Sequence, residues 1–502
     1  MTLLAHGVTA SDANDELTRD ALAVLQPGFE GTTAPAWLLR QVGEGLTAVG
    51  LFGRNIASPE QLAALTAQLR AERDDVLVAI DEEGGDVTRL EVRGGSSFPG
   101  NLALGAVDDT ALTRDVAREL GRRLAQCGVN LNWAPSADVN SNPDNPVIGV
   151  RSFGADTHLA ARHTAAYVEG LQAAGVAACT KHFPGHGDTN VDSHHALPRI
   201  DVDLDTLVAR ELVPFRAAIE AGTKAVMSAH ILVPALDPTR PATLSPQILT
   251  GLLRKELGYE GLIVTDGMEM NAIAGTYGIE RGSVLAIAAG ADAICVGGGL
   301  ADEATVLRLQ GALVAAVREG ALPAERLADA AARVRALAAW TRQARAAAAP
   351  GAPLEGSAPG IGLAAARRAV AVSGTAAPVS APYVATLAPV ANIAVGDETP
   401  WGVAAELAAL VPGTGSGVFP EGATAADVLA AAGSRTVVAV VRDAHRHPWM
   451  AQALDALVAA RPDTVVVEMG VPRAEPRGAL YIATHGASRV CGRAAAEVIV
   501  GV

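Results

Sequence analysis

Aromatic residues make up only 3% of this 502-residue chain, so its cores must be filled by the Ala, Val and Leu that dominate an apolar half. Positive charge is also short. Thirty-nine Lys and Arg stand against 54 Asp and Glu, a net charge of -15, and an acidic surface repels nucleic acid and anionic membranes, so neither is expected as a partner. Only four cysteines occur, Cys127, Cys179, Cys295 and Cys491, with no CxxC among them. That excludes a disulfide framework and zinc-type spacing, and they read as small buried hydrophobes in a reducing compartment. No uncharged apolar run is long enough to span a bilayer, and Met1–Gly7 has neither a basic n-region nor an apolar h-region. The expectation is a soluble, cytoplasmic protein. Walker-type, GxGxxG and GxSxG patterns are missing too, which leaves a phosphate-cradling loop and a serine-centred hydrolase without support.

What is present is alternation. Eight short β-rich runs precede residue 300: Leu22–Gln26, Ala48–Gly53, Val76–Asp81, Val129–Ala134, Ala177–His182, Ala225–His230, Leu262–Asp266 and Ala293–Val296. Helix-patterned stretches such as Pro59–Glu72 and Leu112–Cys127 separate them. Strands apolar on both faces with helices between them imply a parallel sheet, and eight units over this length fit a TIM (β/α)8 barrel, with a doubly wound sheet as the alternative. Arg54, Asp81, Lys181, His182, His230 and Asp266 fall at or just past the ends of their runs, where a barrel gathers its active-site groups. The expected organisation is a barrel domain over 1–349, a Pro/Gly-rich linker over 350–368 and a smaller α/β sandwich domain over 369–502. In the last, Ile393–Val395, Thr436–Val441 and Thr464–Glu468 read as strands.

Four of the eleven histidines crowd into Lys181–Leu197, directly after an apolar run. Metal ligation is disfavoured: Pro184 and Gly185 forbid the helix that would align His182 with His186, and His194 and His195 are adjacent. Proton transfer fits better. Asp192 lies two residues from His194. A carboxylate at that distance can orient an imidazole and favour its protonated form, giving a general acid and base near neutral pH. Asp266 ends a buried strand and could either cap the next helix or act as a nucleophile. With Asp81, Arg89, Arg151, Lys181 and His182, the same face would offer donors and acceptors in the mixture that a neutral polyhydroxylated ligand needs.

At these residues the chain resembles glycoside hydrolase family 3, in its bacterial β-N-acetylglucosaminidase branch. The resemblance is carried by KHFPGHGDTNVDSHHALP at Lys181–Pro198, IDEEGG at Ile80–Gly85 with Arg89, NWAPSADVN at Asn132–Asn140, VIGVRSF at Val147–Phe153, KAVMSAH at Lys224–His230 and IVTDGMEM at Ile263–Met270. It implies a TIM barrel, often backed by an α/β sandwich domain. It implies retaining exo-hydrolysis of terminal β-linked N-acetylglucosamine through a covalent glycosyl-enzyme, with no metal or organic cofactor. Asp266 matches the nucleophile, and His194 with Asp192 matches the general acid/base. Asp81, Arg89, Arg151, Lys181 and His182 match residues that hold the sugar's hydroxyls. Two departures stand out: Glu82 where the family often has Gln, and Asp86 where it often has Arg. Both are expected to add negative charge near the mouth and so to affect the aglycone.

Three other readings remain. A histidine acid/base would not repel an incoming phosphate as a carboxylate would, so the same site could carry out phosphorolysis. A β-glucosidase of the same family would lack the Asp-x-His loop. A sugar-binding module would not require Asp192, His194 and Asp266 together. Cell-wall fragments of the kind recycled from peptidoglycan, chitobiose and glycoconjugates all end in the same sugar and are equally admissible. Arg442–Trp449 clusters charge with an aromatic after a strand and reads either as a cap on the barrel, a partner contact or a solvated helix start.

Overall fold

The computed structural model describes residues 10–191, 197–347, 360–377, 379–390, 395–396 and 398–502. The first half is built from β1 Leu25–Pro27, β2 Ala48–Leu51, β3 Leu77–Ile80, β4 Leu131–Asn132, β5 Ala177–Phe183, β6 Ala225–Ser228, β7 Leu262–Thr265 and β8 Ile294–Val296. Each coincides with one of the eight apolar runs, although Leu22 and Ala23 close a helix rather than open β1. Strands β2 to β7 form a parallel sheet in chain order, β8 pairs with β1, and a single bridge at Val264 and Ala293 links β7 to β8. This is a mixed α/β fold with a curled parallel sheet.

Alternation along the strands explains the curl. One face contributes Ala48, Ala79, Leu131, Ala177, Cys179, Ala225, Val264 and Cys295 to a single inner cluster. These side chains are mostly small, so the strands can close in on one another. The opposite face sends Val49, Leu51, Val78, Ile80, Val226, Ile263 and Ile294 outwards under the helices. Those helices start where the sequence offers caps: Ser58, Asp109, Asp156 and Asp302 each accept a backbone N–H from the first turn, and Pro59 occupies a first position where no N–H is needed.

The second half adds β9 Ala371–Gly374, β10 Tyr383–Leu387, β11 Gly415–Phe419, β12 Val437–Val441, β13 Val465–Glu468 and β14 Leu480–Ala483. Their order is β11-β10-β12-β13-β14-β9, all parallel except β9. Val384, Val438, Val440, Val465, Val467 and Ile482 pack under the helices Ile361–Ala369, Ala404–Leu410 and Arg489–Val500. The alternate residues, among them Ala385, Val437, Ala439 and Val466, pack under Ala425–Ala432 and Pro448–Ala460. The strands expected at Thr436–Val441 and Thr464–Glu468 are β12 and β13. Of Ile393–Val395, only Val395 lies among the described residues, and it sits in a turn. The helix Ile361–Ala369 docks this half on the first through Asn101–Val107 and Thr110–Gln126.

Candidate active site

The C-terminal ends of the first eight strands open on a cavity of about 770 Å³ lined by Asp81, Arg89, Arg151, Lys181, His182 and Asp266. Six of the eight residues singled out in the sequence therefore meet in one place. The other two, Asp192 and His194, lie outside the described residues.

The polar wall is an ion-pair chain. Lys181 Nζ pairs with Asp81 and lies 2.7 Å from Glu83 Oε1. Arg151 grips Glu83 with two bonds, Nη2 to Oε1 at 2.7 Å and Nε to Oε2 at 3.0 Å. Arg89 Nη2 stands 3.4 Å from Asp81 Oδ2. Burial alone would push the Glu83 carboxyl up, but the Arg151 and Lys181 charges hold it well below the usual range. Lys181 is likewise raised: burial opposes its charge, and Asp81 and Glu83 outweigh burial. Glu83 and Lys181 thus keep their charges at any ordinary pH.

His182 is fixed from behind. Asp138 at 2.7 Å accepts its Nδ1–H and also accepts the backbone N–H of His186 at 2.7 Å. Burial works against the Asp138 carboxylate, but the hydrogen bonds donated by the His182 ring and by the backbone N–H groups of His182 and His186 hold it ionised. With the proton on Nδ1, Nε2 faces Arg151 Nη2 at 3.4 Å and the cavity. Lys181 and His182 are consecutive yet both line the cavity. The register of β5 against β6 shifts between Thr180 and Phe183, and such an irregularity re-aims side chains.

Asp266 follows β7. Its Oδ1 accepts the N–H of Gly267 at 2.8 Å, and the next helix begins after Met270, so Asp266 does not cap it. His230 braces this turn: Nε2–H donates to Gly267 O at 2.9 Å, while Nδ1 lies 2.8 Å from Thr243 Oγ1. His230 and Arg54, two of the polar strand ends, do not line the cavity. Arg54 is spent on the carbonyls of Phe29, Gly297 and Gly298. The cavity is also lined by the apolar Phe52, Trp133, Met227, Met270, Ile279 and Leu300, and by Glu269.

Glu83, Asp138, His186 and Trp133 were not singled out in the sequence. His186 lines the cavity, and burial above all lowers its pKa to about 4, so it is neutral. The first two sit inside motifs that were quoted, but their partners are 68 and 44 residues away. Only the presence of a carboxylate within each motif could have signalled them. The charge expected at the mouth from Glu82 and Asp86 is corrected by the structure. Glu82 turns inward to accept the N–H groups of Arg89 and Leu90 at 2.7 and 2.8 Å, and burial raises its pKa to about 7. Asp86 points to the second half of the chain and pairs with Arg442. Neither lines the cavity. Among the described residues, no group of three or more His, Cys, Asp or Glu is placed to hold a metal ion. No helix among them is long and apolar enough to cross a membrane.

Residues 34–337 match the profile of the glycosyl hydrolase family 3 N terminal domain. A β-hexosaminidase A from Pseudoalteromonas piscicida is 38% identical over 309 residues, 57% of this chain and 52% of that protein, so the match takes in about half of that relative. A β-hexosaminidase from Neisseria gonorrhoeae is 36% identical over 265 residues, 51% of this chain and 73% of the relative. A solved family 3 β-N-acetylglucosaminidase from Paenibacillus sp. str. FPU-7 superposes with a TM-score of 0.86 at 35% identity, covering 97% of this chain and 96% of that one. A solved β-glucoside phosphorylase superposes with a TM-score of 0.75 at 19% identity, a likeness of fold alone.

Proposed function

The chain belongs to glycosyl hydrolase family 3, and from that premise we propose that it removes terminal β-linked N-acetylglucosamine from its substrates with retention of configuration. One observation carries the reading: Asp266 opens onto the same cavity as the Asp81–Lys181–Glu83–Arg151 chain and His182. That wall supplies fixed donors and acceptors for sugar hydroxyls, through Asp81, Arg89, Arg151, Lys181 and His182, and Asp266 supplies a carboxylate for the anomeric carbon. In this reading a (β/α)8 barrel over 1–349 is the catalytic domain and an α/β sandwich domain follows it; of the linker expected over 350–368, Ile361–Ala369 is instead a helix packed with the second half. The free, buried state of all four cysteines fits a reducing, cytoplasmic setting.

Asp266 attacks the anomeric carbon and forms a glycosyl ester while the bond to the leaving oxygen breaks. His194, oriented by Asp192, gives that oxygen its proton. In the second step His194 takes a proton from water, the water oxygen bonds to the anomeric carbon, and Asp266 leaves as a carboxylate. The chemistry calls on no cofactor. Water is the acceptor rather than phosphate: Arg89, Arg151 and Lys181, the Arg and Lys residues that line the cavity among the described residues, already face Asp81 or Glu83.

The test is to trap the enzyme with a 2-fluoro mechanism-based glycoside and map the label by mass spectrometry. The label is expected on Asp266, and a label elsewhere overturns the assignment. Turnover of β-N-acetylglucosaminides with phosphate added should release the free sugar alone. A sugar 1-phosphate product would establish phosphorolysis in its place, and faster turnover of β-glucosides would move the enzyme to that substrate class.

A further inference from the structure

We infer that the loop Arg442–Arg446 of the C-terminal half is a positioning device for the sugar-binding wall of the cavity, with Arg442 and Asp86 as its principal pair. The inference rests on the assignment of that cavity to the terminal sugar.

The loop joins β12 to the helix Pro448–Ala460 and is held rigidly from beneath. Glu468, buried at the end of β13, accepts the N–H groups of Asp443 at 2.8 Å, Ala444 at 3.2 Å and Gly470 at 2.7 Å. Asp443 is a non-glycine residue in the left-handed region, φ 54°, and its side chain accepts the N–H of Val471 at 2.7 Å. Gly470 makes room, since a Cβ there would come within 2.4 Å of the Asp443 nitrogen. A strained residue persists only where its surroundings over-determine it, which is the case here.

From this base two side chains reach the first half. Arg442 pairs with Asp86, whose side chain is 2% exposed and whose Oδ1 accepts the N–H of Ala487 at 2.7 Å. His445 Nε2–H donates to Pro143 O at 2.9 Å. Asp86 lies in the turn between Glu83 and Arg89, and Pro143 lies in the loop leading to Arg151. Glu83 and Arg151 are the ion pair that spans these two loops. One loop of the C-terminal half therefore grips both segments that supply the wall, at points three to eight residues from the groups that face the cavity. Replacing Arg442 would leave the buried Asp86 carboxylate without its counter-charge, and the turn would have to shift to reach water. Displacement of a binding wall by even an ångström weakens substrate binding.

The experiment uses the full chain and an aryl β-N-acetylglucosaminide. Arg442→Met should raise KM about tenfold while kcat changes less than about threefold. Arg442→Lys should fall between that variant and wild type. The double variant Asp86→Asn with Arg442→Met should recover part of the KM, since no charge is left unpaired. Hydrogen exchange should quicken in residues 83–90 of Arg442→Met and stay unchanged in the helix Thr110–Gln126. A KM within twofold of wild type, with unchanged exchange in 83–90, overturns the inference. So does a lower kcat at unchanged KM, the mark of a smaller folded fraction. If exchange quickens but the wild-type enzyme turns over no β-N-acetylglucosaminide, the assignment of the cavity fails and the mechanical role of the loop stands.

Discussion

Both halves of the molecule place a carboxylate at the end of a parallel strand, and they use it differently. In the C-terminal sheet, Glu468 closes β13 and accepts three backbone N–H groups. In the N-terminal sheet, Asp81 follows β3 and faces the side chains of Lys181 and Arg89 beside a cavity. An acid satisfied by backbone is a construction element. Asp81, satisfied by long cationic side chains, lines the cavity, where a ligand's hydroxyls can join the same network. A strand-end carboxylate therefore does not mark a site until its partners are known.

The contrast can be broken most severely at Asp266. Asp266→Ala should lower turnover of β-N-acetylglucosaminides roughly a thousandfold or more, on the order of 4 kcal/mol in barrier, with an unchanged circular dichroism spectrum; retention of a tenth of the activity would remove it from the chemistry. His194→Ala should slow substrates with poor leaving groups far more than nitrophenyl glycosides in the first step, because a good leaving group needs little protonation. Equal slowing across a leaving-group series would end its role as the acid.

A change in the wall should register as stability as well as rate. Lys181→Met leaves Glu83 with Arg151 and Asp81 with Arg89, so the loss should sit near the low end for a broken buried pair, about 3 kcal/mol, measured by urea unfolding. A loss under about 1 kcal/mol would show that the chain of charges is not coupled. Glu211 gives a pH-dependent effect of no more than similar size. Its Oε1 accepts from Arg210 at 2.6 Å, and burial raises its pKa to about 7. The folded state therefore holds a proton that the unfolded chain releases near 4.5. The stability this contributes is full below about pH 4.5 and is lost as pH rises through about 7. Relative to Glu211→Gln, wild type should lose up to about 3 kcal/mol between pH 5 and 8, and parallel melting curves would show that Glu211 ionises freely. Least of all should be Val418→Lys on the outer strand β11, where the side chain is 71% exposed: a change within about 0.5 kcal/mol, with greater destabilisation indicating a covered edge.

The first half was legible because its strands are apolar on both faces and are broken by polar residues at their ends. Asp81, Lys181, His182 and Asp266 could be placed on one face from that pattern alone. The second half was less so. Strand β9 is exposed along its length and β11 is half-exposed and glycine-containing, so neither shows a clean alternation. Partnership was the harder matter. Glu82 and Asp86 were expected as mouth charges because they depart from the family's usual Gln and Arg, but Asp86 answers to a residue 356 positions away. Distance along the chain is a poor guide to where a carboxylate points.

The four thiols described above have a practical consequence. None is bonded and all are buried, with burial lifting Cys127 to about 11 and Cys491 to about 12. Cys295 lines the cavity and Cys127 a surface groove, whereas Cys179 and Cys491 are enclosed; labelling of either of these two counts an excursion from the native state. Cys179 records breathing of the inner cluster beneath the strands, while Cys491 records departure of the last helix, so the protein carries a separate clock in each half.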